Sequence, residues 1–344
     1  MIEKLLRKSN KPILIAEISG NHCGSLSTAK RLIHTAKKNG ADIVKFQTYT
    51  PGTMTIKSKR SEFKLKDGLW KGQMLWDLYK KAHTPFEWHK ELFSYSKKIG
   101  ITCFSTPFDD SAVNLLEKLN CPFYKVASFE LTDLPLIKRI AETKKTMIIS
   151  TGMGTLKEIE TAYKVAKKNG CPKIILLYCV SRYPSDIYDF NLQNINIMKK
   201  KFNCEIGLSD HSNDSIIAKI AVSLGVRVIE KHIANENQKN GVDIAFSLKG
   251  KEIKKFVNDI NEVHKILGQK KFIRSKKELH NIKLRRSIYV IKEIKKNDKI
   301  TKENIKVIRP NNGLAPSYYY KVINKKAKKK LIAGTPFNLS YIKK

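Results

Sequence analysis

Eight short apolar runs recur along this chain: "ILIAEIS" (13–19), "DIVKFQT" (42–48), "ITCFSTP" (101–107), "FYKVAS" (123–128), "TMIIST" (146–151), "IILLYC" (174–179), "EIGLSD" (205–210) and "RVIEKHI" (227–233). They are continuous rather than alternating and rich in β-branched residues, the pattern of strands buried on both faces of a parallel sheet. Between them lie amphipathic stretches such as "LSTAKRLIHTAKKNG", "SAVNLLEKLN", "LKEIETAYKVAKKNG" and "SIIAKIAVSLG". Several end at glycine, a helix C-terminal signal. Eight alternations predict an α/β chain with a (β/α)8 barrel over residues 1–268. An open doubly wound sheet is the competing architecture, but no GxGxxG follows the first strand.

The second connection, residues 49–87, is too long for one helix and reads as an elaborated loop over the active face of the barrel. After the eighth outer helix, "GKEIKKFVNDINEVHKILG", a basic linker (269–283) leads to a compact, mostly-β module over 284–344. At 344 residues the chain is long enough for one large and one small domain. No stretch has the length of a membrane-spanning helix, and "MIEKLLRKSNKP" lacks the apolar region of a signal peptide. The six cysteines show no close pairing, which fits reduced core thiols, so a cytoplasmic protein without membrane association is expected.

The formal charge of +36 is uneven: from Gln269 onward 23 basic residues stand against 4 acidic, a net +19. Clustered lysine can mark a nucleic-acid or glycan binder. Against this, aromatic RNA-binding motifs are missing, and much of the lysine falls on outer helix faces. A solvated basic surface is the simpler reading, and nucleic acid is not an expected partner.

In a (β/α)8 barrel the C-terminal strand ends build the active site. There the chain places Glu17, Asn21 and His22; Lys45 and Gln47; Ser105 and Thr106; Lys125, Ser128 and Glu130; Ser150 and Thr151; Ser181, Arg182 and Tyr183; and Ser209, Asp210, His211, Lys231 and His232. A lone lysine in an apolar strand is most simply structural. Two lysines and hydroxyls from four or more strands together make a phosphate or carboxylate site. His211 and His232 end adjacent strands and form either a hydrogen-bonded rim pair or an open metal site suited to Lewis-acid activation of a carbonyl. A mixed nitrogen and oxygen shell admits Mn²⁺, Mg²⁺, Co²⁺ or Zn²⁺. Glu130 is either an acid/base group or the partner of a rim lysine.

With these residues in hand, the chain resembles the sialic acid synthase (nonulosonic acid synthase) family. The matching motifs are "IAEISGNHCGSL", "VKFQTYTP", "FSTPFD", "YKVASFE", "IISTGM", "YP" at 183–184, "GLSDHS" and "VIEKHI", in family order. The terminal module is similar to the family's antifreeze-like (SAF) domain, with "RSIYV" and "IRPNNGL" as its marks. The resemblance implies a transferase that condenses phosphoenolpyruvate with an acylated amino-sugar. It implies that Lys45, Thr106, Lys125, Ser128, Ser150, Tyr183 and Ser209 bind phosphoenolpyruvate, with Glu130 as acid/base residue and Lys125 counted beside it as catalytic. Glu17, Gln47 and Asp243 would contact the sugar, and Arg309 would reach its N-acyl group in the partner subunit of a domain-swapped homodimer. His211 and His232 would hold a divalent metal, Mn²⁺ first and Mg²⁺ or Co²⁺ as the others.

Within the family, the insertion "GLWKGQMLWDLYKKAHTPFEWH", "ASFE" and "FSL" at 246–248 are similar to the pseudaminic acid branch. The implied acceptor is a 2,4-diacetamido-2,4,6-trideoxy hexose of the L-altrose form; the N-acetylneuraminate and legionaminic acid branches are the alternatives. Val180, Arg182 and the loop "HIANENQKNGVD" depart from the usual pattern, away from the metal and phosphate positions. Two rival readings make distinct predictions. A Schiff-base aldolase using Lys45 or Lys125 would be trapped by borohydride, and a basic binding protein would consume no phosphoenolpyruvate.

Overall fold

The structure, a computed structural model, describes residues 2, 5–6 and 11–343; most of the N-terminal stretch 1–10 and Lys344 lie outside the described residues. Each of the eight apolar runs forms a strand: β1 (Ile13–Glu17), β2 (Ile43–Thr48), β3 (Thr102–Pro107), β4 (Tyr124–Val126), β5 (Met147–Ser150), β6 (Ile174–Cys179), β7 (Glu205–Asp210) and β8 (Val228–Ala234). All pairings are parallel and follow chain order, and β8 pairs back onto β1 from Ile13↔Val228 to Glu17↔His232. The sheet therefore closes into a barrel and leaves no edge among these eight strands. All seven residues of β8 and all five of β1 are buried, which is why their sequences show no polar alternation. A two-residue strand, β9 (Leu248–Lys249), pairs with the end of β8.

The connecting helices carry their start signals in the sequence. Ser25 accepts from the Thr28 N–H, Asp109 from Ser111 and Ala112, Asp133 from Leu136, and Thr155 forms a capping box with Glu158. Each such cap is worth about 1 kcal/mol. The repeated "KKNG" closes helices 26–38 and 156–168, with Gly40 and Gly170 at φ of 91° and 99°, a conformation glycine adopts without a Cβ clash. No helix among the described residues is long and apolar enough to cross a membrane.

The connection after β2 is structured. It holds a helical turn at Pro51–Met54, a bridge between Lys64 and Met74, and a helix at Leu75–Ala82. The helix Lys251–Leu267 completes the barrel unit, which ends at Gly268.

The second compact unit begins at Gln269. Its basic leading segment contains a helical turn at Lys276–Leu279, followed by a 3-10 turn at His280–Leu284. Strands β10 (Ser287–Val290) and β11 (Ile305–Ile308) pair antiparallel. Around them Ile288, Val290, Ile294, Ile300, Val322 and Phe337 form a separate small core.

Candidate active site

Side chains alternate across a strand, so residues two apart share a face. At the C-terminal ends of the barrel strands this parity brings Glu17, Lys45, Lys125, Ser209, Glu230 and His232 towards one centre, and all are buried. Lys45 Nζ lies 2.6 Å from Glu17 Oε2 and 3.4 Å from Glu230 Oε1, and it donates to Thr106 Oγ1 at 3.2 Å. Lys125 Nζ donates to Ser150 Oγ at 2.6 Å and stands 3.8 Å from the same Glu230 oxygen. Ser209 Oγ donates to Glu230 Oε1 at 3.4 Å. Ser128 Oγ accepts from the Gly152 N–H at 3.2 Å. Gly152 needs to be glycine here, because a Cβ on it would lie 2.0 Å from Ser181 Oγ and 2.8 Å from Ser128 Oγ.

Two ammonium groups, four hydroxyls and a backbone N–H at the ends of the barrel strands form an anion site. Burial would lower the pKa of Lys45, but Glu17 and Glu230 hold it above the ordinary value, so it stays charged. Burial brings Lys125 down to about 8, against the pull of Glu230. Glu230 is held below the usual carboxylate range despite its burial, because Lys125 and Lys45 flank it. Sequence reasoning missed Glu230. The signal that could have found it is its position two residues before His232, on the same face of β8.

His211 and His232 face each other with ring centroids 5.3 Å apart. Tyr183 packs on His211 at 4.4 Å, and Phe246 lies 4.9 Å from His232. His211 Nδ1 is 3.1 Å from Val180 O. A carbonyl can only accept, so Nδ1 carries a proton. Burial would lower the pKa of this ring, but the neighbouring Cys179 and the bond to Val180 O hold it above the ordinary value, so Nε2 offers a lone pair once the ring has shed its second proton. Burial, then the neighbouring His211 and lysines, push the His232 pKa well below its ordinary value and keep that ring neutral. Its Nδ1 is buried with no hydrogen-bond partner; Asp243 Oδ2, at 3.9 Å, is too far to bond. Two facing imidazoles, one with an orphaned nitrogen, fit a divalent metal as an incomplete protein shell. Among the described residues no cluster of three or more His, Cys, Asp or Glu side chains forms a fuller cage.

A cavity of about 350 Å³ opens over this centre, lined by Ser19, Gln47, Glu130, Tyr183, His232 and Asp243. Asp243 accepts from Ser19 Oγ at 2.5 Å. The long connection after β2 supplies much of the remaining wall through Met54, Leu65, Trp70 and Tyr79, with Phe108 and Phe129 opposite. Trp70 is tied to the β8 loop by its Nε1–H, which donates to Val242 O at 3.0 Å. Glu130 Oε2 is buried without a hydrogen-bond partner. Burial pushes its pKa up to about 7, only partly opposed by Lys125.

Other strand-end polar groups point elsewhere. Ser105 bonds Thr48, which bonds His89, in the layer behind the sheet. Thr151 donates to Leu177 O, and Arg182 pairs with Asp189 at 2.8 Å. Asn21 ties the loop after β1 to Ile233, Ser247 and Asp243. His22 packs edge-on against Trp88, and burial lowers its pKa to about 4. Asp210 and Lys231 pair with each other. Arg309 follows β11 in the second unit.

Residues 32–272 match the model of the NeuB family, and residues 285–340 match the SAF domain. The chain is 41% identical over 324 residues to the pseudaminic acid synthase of Campylobacter jejuni, covering 94% of each chain. It is 37% identical over 323 residues to that organism's N,N'-diacetyllegionaminic acid synthase, covering 93% of this chain and 96% of the relative. Among solved structures, the N-acetylneuraminic acid synthetase of Leptospira borgpetersenii, determined in complex with citrate, aligns with a TM-score of 0.71 at 33% identity. It covers 80% of this chain and 91% of that one.

Proposed function

The chain belongs to the NeuB family, a family of phosphoenolpyruvate-using transferases, and we propose that it condenses phosphoenolpyruvate with a 2,4-diacetamido-2,4,6-trideoxy hexose of the L-altrose form and water, giving pseudaminic acid and phosphate. The observation that carries this reading is the convergence in one buried centre of a two-lysine anion site and a facing histidine pair, beneath a cavity with Glu130 in its wall. The acceptor is supported by the cavity wall. Trp70, Tyr79, Phe108 and Phe129 offer apolar and aromatic surface suited to a deoxy methyl and two acetamido methyl groups.

Lys45 and Lys125 neutralise the anionic charges of phosphoenolpyruvate, while Thr106, Ser128, Ser150, Tyr183 and Ser209 orient it. Gln47, Glu17 and Asp243 position the open-chain sugar so that its aldehyde carbon meets C3 of the enol. Holding both reactants in attack geometry supplies a large part of the rate. C3 forms the new C–C bond as Glu130 gives its proton to the aldehyde oxygen. Water then adds at C2 and returns a proton to Glu130, and the tetrahedral carbon expels phosphate by C–O cleavage. A carboxyl with a pKa near 7 can serve in both directions at neutral pH. NeuB enzymes are generally metal-dependent. His211 and His232 would hold the divalent metal, with Mn²⁺ the first choice and Mg²⁺ or Co²⁺ next; when bound it supplies Lewis-acid polarisation of the aldehyde.

On the same reading the enzyme works in the cytoplasm as a domain-swapped homodimer, with Arg309 reaching the sugar's N-acyl group across the dimer. The test is phosphate release from phosphoenolpyruvate against a panel of amino-sugars. The trideoxy L-altrose acceptor is expected to give the highest kcat/KM, ahead of N-acetylmannosamine and the legionaminic acid precursor. Preference for either of those reassigns the branch, and release with none refutes the synthase.

A further inference from the structure

β7 and β8 are in parallel register with Ser209 opposite Glu230 and Asp210 opposite Lys231, and the residue that follows each of the last two in the chain is a histidine of the facing pair. Parity sends Asp210 and Lys231 to the opposite face from the histidines. There Lys231 Nζ lies 5.9 Å from the Phe256 ring of the outer helix and 2.9 Å from Asp210 Oδ2, with both side chains buried. Asp210 Oδ1 accepts from the Ser212 N–H at 2.9 Å, and Lys231 Nζ also donates to Ser212 O. The pair thus grips both backbone polar groups of the residue after His211. His211 O accepts from the Ser185 N–H at 3.0 Å.

We propose that Asp210 and Lys231 are positioning residues that lock β7 against β8 and hold His211 and His232 at the spacing one divalent cation needs. This rests on the metal reading of the two histidines. As a stabilising device the pair would be a poor choice, since buried ion pairs are often replaced by apolar residues at no cost in stability. Its value is geometric. Every hydrogen bond it makes, apart from its own salt bridge, goes to the turn that follows a histidine, and slipping one strand by a residue would turn its histidine to the wrong face.

The experiment measures Mn²⁺ binding to the full chain by electron paramagnetic resonance for wild type, His211→Ala, Asp210→Asn and Lys231→Met. Calorimetry on the metal-free proteins follows phosphoenolpyruvate binding in parallel. Asp210→Asn and Lys231→Met are expected to lose about 10–100-fold in Mn²⁺ affinity, the usual scale for a supporting group behind a ligand. The spectrum of bound Mn²⁺ should change, while phosphoenolpyruvate binding stays at the wild-type level. Should the single variants fail to fold, Asp210→Leu with Lys231→Met removes both charges and leaves neither unpaired; the same loss is expected. Wild-type Mn²⁺ affinity in a folded Asp210→Asn or in the double variant, with His211→Ala losing the ion, overturns the positioning role alone. If His211→Ala binds Mn²⁺ like wild type, the metal reading falls and the positioning role with it.

Discussion

Glu17 and Lys45 stand side by side at the centre of the barrel, Oε2 to Nζ 2.6 Å, both buried. Glu230 flanks the same ammonium at 3.4 Å and reaches towards Lys125 at 3.8 Å. Two carboxylates and two lysines therefore balance one another in a buried centre, and removing one member exposes the others to the cost of burial.

Lys45→Met leaves Glu17 without its cation and Glu230 with only the more distant one. Breaking a buried pair in this way costs about 3–5 kcal/mol. Thermal unfolding should show a lowered midpoint, and the KM for phosphoenolpyruvate should rise steeply. Adding Glu17→Gln is expected to recover much of the stability but none of the substrate binding. An unchanged midpoint in the single variant would contradict the buried pair.

Glu130 makes stability depend on pH with a definite sign. Its folded pKa is raised from 4.5 to about 7, so its contribution to stability is complete below pH 4.5 and is lost as pH rises through 7. Glu130→Gln removes that loss. The variant should match wild type in acid and exceed it in alkali by up to roughly 3 kcal/mol, on the scale of 1.36 kcal/mol per pKa unit. Its turnover should fall by about 10²–10⁴-fold, the usual contribution of a positioned acid or base. Denaturant melts across the pH range and steady-state kinetics check both, and wild-type turnover would take Glu130 out of the proton transfer.

Dialysis against a chelator should remove activity, and added Mn²⁺ should restore it. His211→Ala or His232→Ala should nearly abolish both turnover and its metal dependence. Full activity in chelated wild type would sink the assignment.

Trp70 ties the long connection after β2 to Val242, and its ring lies 5.6 Å from that of Tyr183. Trp70→Ala should raise the KM for the amino-sugar by about 10–100-fold, the worth of a lost hydrogen bond together with an aromatic contact. The KM for phosphoenolpyruvate should move little. Equal effects on both substrates would mean that Trp70 shapes the whole cavity rather than the sugar's wall.

The barrel was legible because strands buried on both faces must be apolar throughout, and that pattern is written locally, as in "IILLYC". The helix caps at Ser25, Asp109 and Thr155 were equally local signals. The site was legible in part. Lys45, Lys125 and the two histidines interrupt apolar strands and stand out for that reason. Glu230 interrupts one too, directly before Lys231 and two residues before His232, in a stretch where three polar residues crowd one strand end. Ser105, Thr151, Asn21 and His22 lie at strand ends like the residues that meet at the centre, but their contacts run to the outer layer or to backbone carbonyls.

By itself the sequence determined the alternation of eight strands and helices, and with it the end of the barrel where polar groups gather. Local hydrophobic burial is enough to specify that much. Only the closed tertiary structure decided which strand-end side chains meet. Period-two alternation says which residues share a face, but closure and the course of each loop decide whether that face looks inward. That is why Glu230 joins the two lysines, why Asp210 and Lys231 turn behind the histidines, and why Trp70, far away in the chain, comes to line the cavity.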